Sequence, residues 1–348
     1  MRKLNTALVG FGLSGSTFHA PILSQLPGFC LSHISSSKKA LVQSRYPEAC
    51  LISNFEDLCG VSKIDLIVIT SPHATHYQIA KKALESGRNV IVEKPFVLNL
   101  NEGEKLINIA KQNKLFLSVF QNRRWDNGFL TLKKYLKENI FGDIFLYESY
   151  FDRYRPNVDH SKWKENDQID SGIFYDLGVH LIDQSLNLFG MPHEVFADFE
   201  KQRSGAKAID YFNLILKYEK LRVTLGSSSV MTTPRPVHAL YGTKGSFVKY
   251  GLDPQENDLR ASKKFNSENW GEENESYSPT ITIENENNFT KTHVKSLKGS
   301  YQAYYEAVYQ SIVYGKENPV TPESALNNIK IIECAMASAQ HKKWVPIV

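Results

Sequence analysis

Leu4-Asn5-Thr6-Ala7-Leu8-Val9-Gly10-Phe11-Gly12-Leu13-Ser14-Gly15-Ser16 begins as a short apolar run and passes directly into a glycine-rich turn. A strand leading into G-x-G-x-x-G at the start of a helix is the context in which those glycines carry a phosphate-binding meaning. Gly10 permits the tight turn. Gly12 lets backbone approach a pyrophosphate, and Gly15 lets the helix pack closely on the strand. The helix N-terminus adds N–H donors and a partial positive charge. Phe11 and Leu13 belong to the same turn, and the whole predicts a dinucleotide site.

Working outward, the chain alternates β-branched runs with helical patterns up to about residue 122, which indicates parallel βαβ units. Expected strands are Leu4 to Val9, Leu31 to Ser35, Leu66 to Thr70, Val90 to Val92 and Phe116 to Phe120. Thr75 is placed to cap a helix ending before Gly87, and Asn101 with Glu104 has capping-box spacing. After Trp125 the pattern changes. A helix is expected over 128–141, with Gly142 as its stop, then a long aromatic strand from Phe145 to Arg155 and a helix from Ile173 to Phe189. Further runs at Glu194 to Lys201, Ala208 to Tyr218, Arg222 to Ser229 and Val237 to Tyr241 suggest a mostly antiparallel sheet. Asp253 to Thr292, rich in Asn, Glu and Ser, reads as a surface excursion, and Thr321-Pro322 opens a final helix. The fold class is therefore α/β, a doubly wound parallel sheet over 1–122, followed by an α+β domain over 123–348 with an open, mostly antiparallel sheet.

The 348 residues suit two domains, and 42% hydrophobic with 22% charged residues is ordinary globular composition. The net charge of +4 comes from scattered lysine and arginine pairs, not from the stripe that phosphate neutralisation by a nucleic-acid binder would need. Cys30, Cys50, Cys59 and Cys334 show no CxxC and no zinc spacing, so free thiols in a reducing cytoplasm and no metal are expected. Neither a signal segment nor an apolar stretch of about 18 residues is present, so no membrane span is expected.

About 20 residues past the fingerprint, an NAD enzyme usually carries a carboxylate for the ribose 2′-hydroxyl. Here the position reads Ser35-Ser36-Ser37-Lys38-Lys39. With Ser36 and Ser37 as donors and Lys38 as a cation, the loop favours NADP, with NAD as the other possibility. Glu93-Lys94-Pro95 follows a strand at the carboxyl edge of the sheet, and Asp176-Leu-Gly-Val-His180 places a carboxylate and an imidazole on one face of an expected helix. A surface i,i+4 pair is the plainer reading of that spacing.

With the fingerprint, Ser71-Pro72-His73-Ala74-Thr75-His76, Glu93-Lys94-Pro95 and Asp176 with His180, nearly the whole chain resembles the glucose-fructose oxidoreductase and inositol dehydrogenase (Gfo/Idh/MocA) oxidoreductases. Asn122-Arg123-Arg124-Trp125-Asp126, Arg153-Tyr154-Arg155-Pro156 and Gly251-Leu252-Asp253-Pro254-Gln255-Glu256 are similar to that family's NADP-dependent scyllo-inositol dehydrogenase group. Lys38 departs from the arginine usual there and lacks its planar fork.

The resemblance implies hydride transfer between a secondary alcohol and nicotinamide. Ser71, Pro72, His76, Glu93 and Lys94 would lie on the cofactor side, with Lys94 also, beside Asp176 and His180, around the reacting hydroxyl. His180, with a reference pKa of about 6.5, would take the proton while Lys94 stabilises alkoxide charge, or the lysine would carry the proton itself. Arg123, Arg153, Tyr154, Asn157, His160 and Trp163 are the candidates for binding a polyol, cyclitol or sugar. The resemblance also implies a homodimer or homotetramer formed through the open sheet. A non-catalytic NADP-binding regulatory protein is the competing reading, and a reductase acting on an unsaturated or aromatic-derived substrate is a third.

Overall fold

The computed structural model describes residues 2–167, 170–286 and 288–348. They divide into two compact units, one of Met1–Asn122, Gln255–Trp270 and Ser300–Ile329, the other of Arg123–Pro254, Gly271–Gly299 and Lys330–Val348. The chain thus returns twice to the first unit, and neither unit is one continuous stretch.

In the first unit β1 (Leu4–Val9), β2 (Phe29–Ser35), β3 (Cys50–Ile52), β4 (Leu66–Ile69), β5 (Asn89–Glu93) and β6 (Leu117–Phe120) form a parallel sheet in the order β3-β2-β1-β4-β5-β6. Four-residue β4 is buried throughout, as is β1 apart from Asn5. Both faces of a parallel sheet are covered, so these strands read as continuous apolar runs with no alternation. β3 escapes sequence reading because it is short and exposed or half-exposed. Strand order reverses between β1 and β4, so their carboxyl ends frame the crevice where open sheets of this kind bind ligands.

Two helix starts differ from expectation. Helix Leu100–Gln112 is capped by Asn99, whose side chain accepts from Glu102 N at 3.0 Å, two residues before the expected Asn101 and Glu104 box. Thr75 does precede helix His76–Glu85, but its hydroxyl donates to Pro72 O at 2.7 Å instead of capping. Helix Tyr301–Tyr314 buries Tyr301, Tyr304, Tyr305, Val308 and Tyr309, one apolar stripe at helical spacing. The Tyr305 ring lies 5.6 Å from Phe29 and 5.8 Å from Phe120, while Tyr304 OH donates to Ser118 Oγ at 3.0 Å. Aromatic bodies fill the core and their hydroxyls find partners.

In the second unit the strands are β7 (Ile144–Tyr150), β8 (Glu194–Glu200), β9 (Tyr211–Lys217), β10 (Arg222–Ser228), β11 (His238–Gly242), β12 (Gly245–Lys249), β13 (Thr280–Asn285), β14 (Asn288–His293) and β15 (Val345–Pro346). Their order is β14-β13-β12-β11-β7-β10-β9-β8-β15, and only the β7–β10 pairing is parallel. Helices Asn127–Lys137 and Val179–Phe189 pack on it through Phe129 against His238 and Phe189 against Tyr147.

The expected helix over 128–141 stops at Lys137. Asn139 takes φ 52°, and Gly142, expected to stop the helix, serves the turn into β7 with φ 70°. A Cβ on Gly142 would lie 2.4 Å from Thr243 Oγ1. The expected strand from Phe145 to Arg155 ends at Tyr150, because the Asp152 carboxylate takes over Ser228 N at 3.1 Å. Its aromatic residues Tyr147 and Phe151 are buried in the unit's own core, and the Arg235 guanidinium covers Tyr150 at 3.7 Å. Segment 253–292 is not a mere excursion. It supplies helix Gln255–Arg260 to the first unit and β13 and β14 to the second, where fully exposed edge strand β14 shows no apolar alternation to read. Among the described residues no helix is long and apolar enough to cross a membrane.

Candidate functional site

The glycine turn fits a dinucleotide by what surrounds each glycine. Gly10 has φ 96°, its N–H donates to Ser35 O at 2.9 Å, and a Cβ would lie 2.8 Å from the Thr70 carbonyl. A Cβ on Gly15 would lie 2.4 Å from Gly10 O and 2.7 Å from Thr70 Oγ1, so helix and strand are in contact there. Around Gly12 nothing lies within 4 Å of that position. The turn is therefore closed against the protein at Gly10 and Gly15 and open at Gly12, as a pyrophosphate approaching backbone requires. Phe11 is buried, its ring 5.9 Å from Tyr46, and is a core anchor, whereas Leu13 is exposed.

β2 ends at Ser35, beside the turn. Ser36 Oγ accepts from Lys38 N at 3.0 Å, and Ser37 and Lys38 are exposed. No Asp or Glu occurs between Phe29 and Pro47. After β4, Ser71 Oγ and Thr75 Oγ1 share a hydrogen bond of 2.7 Å. His76 is fully buried with Nδ1 2.9 Å from Pro95 O and Nε2 3.0 Å from Ser71 O. It is a strut between the loops after β4 and β5. Burial lowers its pKa against the pull of the Pro95 carbonyl and the Glu93 charge.

Glu93 ends β5, Lys94 follows half-buried, and the Lys94-Pro95 peptide is cis. Glu93 Oε1 accepts from Ser14 Oγ and from His19 Nε2 at 3.0 Å, and Oε2 accepts from Lys94 N at 2.7 Å. Burial would raise this carboxyl, but the His19 hydrogen bond, the His19 and Lys94 charges and the Ser14 hydroxyl outweigh it and hold the pKa at about 2.

In the second unit, Asp176 and His180 are not both on an α-helix as expected. Phe174–Gly178 forms a π-turn, and the α-helix begins at Val179. Such turns recur at functional sites, because they re-aim side chains within a helix. Asp176 Oδ1 accepts from Lys164 Nζ at 2.7 Å, and Arg153 Nη1 lies 3.7 Å from Oδ2. His180 is buried.

The expected substrate residues divide. Arg123 is buried, with Nη1 3.2 Å from Asp126 Oδ2 and its guanidinium 5.1 Å from the Phe151 ring centre. Arg153 stays beside Asp176. Tyr154 is 61% and Trp163 39% exposed, and the Lys164 ammonium lies 5.7 Å from the Trp163 ring centre. Asn157 and His160 are exposed side chains whose carbonyls accept from Arg203 Nη1 and Asn166 Nδ2, both at 3.3 Å.

Sequence reading missed His19, Ser14 and Tyr305 around Glu93, Lys164 beside Asp176, and Arg203. The last pins the loop bearing Tyr154 to Trp163, bonding Asp210 Oδ2 at 2.8 Å, Glu165 Oε2 at 2.5 Å and Arg155 O at 3.2 Å. A lone buried histidine four residues past the fingerprint was the one available signal. The remaining partners lie too far apart in sequence to be paired by spacing.

Two family models match. The NAD-binding Rossmann-fold model of the Gfo/Idh/MocA oxidoreductases covers residues 4–121, and their C-terminal alpha/beta model covers 133–347. The chain is 39% identical over 348 residues to scyllo-inositol 2-dehydrogenase (NADP(+)) IolW of Bacillus subtilis, covering 99% of this chain and 97% of that one. It is also 39% identical to the uncharacterised oxidoreductase YdgJ of Escherichia coli, covering 98% of this chain and 97% of that one. Among solved structures, the oxidoreductase YvaA of Bacillus subtilis superposes with a TM-score of 0.97 at 37% identity, over 100% of this chain and 99% of that one. An oxidoreductase of Yersinia pestis gives 0.95 at 38%, over 100% and 98%.

Proposed function

The chain belongs to the Gfo/Idh/MocA oxidoreductases, and from that premise we propose that it is an NADP-dependent dehydrogenase of a secondary alcohol on a cyclitol, sugar or related polyol. The reading is carried by one observation: Glu93, which precedes Lys94, is bonded to Ser14 of the glycine turn, so the reactive-lysine loop and the nucleotide turn are built as one piece. The backbone of Gly10 to Gly15 would hold the pyrophosphate, and Ser36, Ser37 and Lys38 the 2′-phosphate. Bound NADP supplies the hydride acceptor.

The chain's own groups supply the rest. Alcohol oxidation leaves a hydroxyl proton to be taken up: either His180 takes it while the Lys94 ammonium stabilises developing oxyanion charge, or Lys94 takes it as the neutral amine and becomes the ammonium. Asp176, held by Lys164, orients the hydroxyl. Arg153, Tyr154 and Trp163 are the first choice for polyol binding. The name of the Bacillus subtilis relative supports a cyclitol substrate and NADP. We extend the proposal to a homo-oligomer acting in the cytoplasm.

The test follows nicotinamide absorbance with NADP or NAD and a panel of inositols and sugars, comparing wild type with Lys94→Met and His180→Ala. Turnover with NADP that is lost in both variants is the expected result. Tight NADP binding with no turnover in either direction would instead favour a regulatory nucleotide-binding protein.

A further inference from the structure

We propose, on the dehydrogenase reading above, that Glu93 is a positioning residue: gripped by Ser14 and His19, it fixes the Lys94 backbone against the glycine turn, and Tyr305 holds the His19 ring in the orientation that does this. Three segments donate to one carboxylate. Ser14 comes from the turn, His19 from the helical segment after it, and the Lys94 N–H from the loop after β5.

His19 and Tyr305 are both fully buried, and Tyr305 OH lies 2.5 Å from His19 Nδ1. His19 Nε2–H donates to Glu93 and its Nδ1 pairs with the Tyr305 hydroxyl, so both ring nitrogens are partnered and the orientation of the ring is set. A buried carboxylate held by hydrogen bonds is weak evidence for stability, since apolar residues of equal volume often serve as well. This one ends on the backbone of Lys94, where misplacing a reacting group by about 1 Å costs on the order of 100-fold in rate. Besides its direct partners, Glu93 is faced by the buried His76 ring from helix His76–Glu85 and by Tyr305 from helix Tyr301–Tyr314.

The test uses the full chain and the variants Glu93→Gln, His19→Phe, His19→Gln and Tyr305→Phe, with kcat, KM, NADPH affinity by fluorescence, and melting temperature of the nucleotide-free protein against pH. Glu93→Gln and His19→Phe are expected to lower kcat about 10- to 100-fold while KM and NADPH Kd move less than about 3-fold. His19→Gln, whose amide can still donate to Glu93, restores most of kcat, and Tyr305→Phe lowers it about 3-fold. Without the His19 donor, burial raises the Glu93 carboxyl, so the folded variant takes up a proton before the unfolded chain does. The stability gap between His19→Phe and wild type should therefore narrow from about pH 7 to about pH 4, and kcat of the variant should gain an acid limb.

Unchanged kcat and pH profile in Glu93→Gln and His19→Phe, beside an inactive Lys94→Met, would overturn the proposal. So would a stability gap that stays constant with pH together with no rescue by His19→Gln. Should those variants not fold, wild-type kcat in Tyr305→Phe would overturn it. A wild type with no turnover on any substrate refutes the dehydrogenase reading instead, and the melting curves then still judge the network.

Discussion

Lys164 Nζ lies 2.7 Å from Asp176 Oδ1, so the carboxylate four residues before His180 is met by an ammonium from a separate segment. The lysine side chain is 41% exposed. Pairs that exposed contribute about 0–1 kcal/mol to stability. Lys164→Met should therefore leave the melting temperature within about 3 °C of wild type, while kcat/KM for the alcohol falls about 10-fold because Asp176 is no longer oriented. Steady-state kinetics with thermal melting checks both, and Lys164→Arg should recover part of the loss.

Gly12 and Gly15 make a matched pair for separating folding from binding. A methyl at Gly15 meets Gly10 O at 2.4 Å, so Gly15→Ala should destabilise the protein by about 1–3 kcal/mol. A methyl at Gly12 meets nothing within 4 Å, so Gly12→Ala should melt like wild type yet lose about 10-fold or more in NADPH affinity. Urea unfolding and fluorescence titration distinguish them. Equal NADPH affinity in Gly12→Ala would remove the pyrophosphate from this turn.

Cofactor choice should turn on the loop after β2. Ser36 is half-buried and Lys38 exposed, with no acidic residue nearby in the segment, so Ser36→Asp introduces a carboxylate where a 2′-phosphate would sit. The ratio of kcat/KM for NADP over NAD should fall by about 100-fold, and Lys38→Ala alone by about 10-fold, each 1.4 kcal/mol being tenfold.

His238 gives the second unit a pH dependence. It is fully buried, Tyr147 OH lies 2.8 Å from its Nδ1, and burial with the Lys249 charge lowers its pKa from 6.5 to about 3. Phe129 faces it from helix Asn127–Lys137, and Lys249 is itself paired with Glu273. Between those values the unfolded chain binds the proton and the folded chain does not. The contribution is whole above pH 6.5 and is lost as pH falls toward 3, at about 1.4 kcal/mol per pH unit for one proton. His238→Gln should melt lower than wild type at pH 7 and approach it at pH 4, by urea unfolding across that range.

Local pattern carried much of the architecture. The buried β1 and β4 announce themselves as apolar runs, Gly10, Gly12 and Gly15 are fixed by spacing, and Thr321 before Pro322 does cap the last helix, accepting from Ser324 N at 3.2 Å. Where the local signal was ambiguous, reading failed. Asn99 and Asn101 are equally good caps by type, and only the chain path chose Asn99. β14 displays no apolar face, so its composition looks like loop.

By itself, then, the sequence determined the doubly wound sheet, the glycine turn and the placement of Lys94 after β5, because each follows from contacts within a few residues or from strand periodicity. Tertiary structure alone decided that Ser14, His19 and Tyr305 converge on the Glu93 side of Lys94, and that Lys164 meets Asp176. His19 and Tyr305 are separated by 286 positions. Pairings of that range are set by which helix packs on which sheet face, a choice that spacing in one chain does not encode.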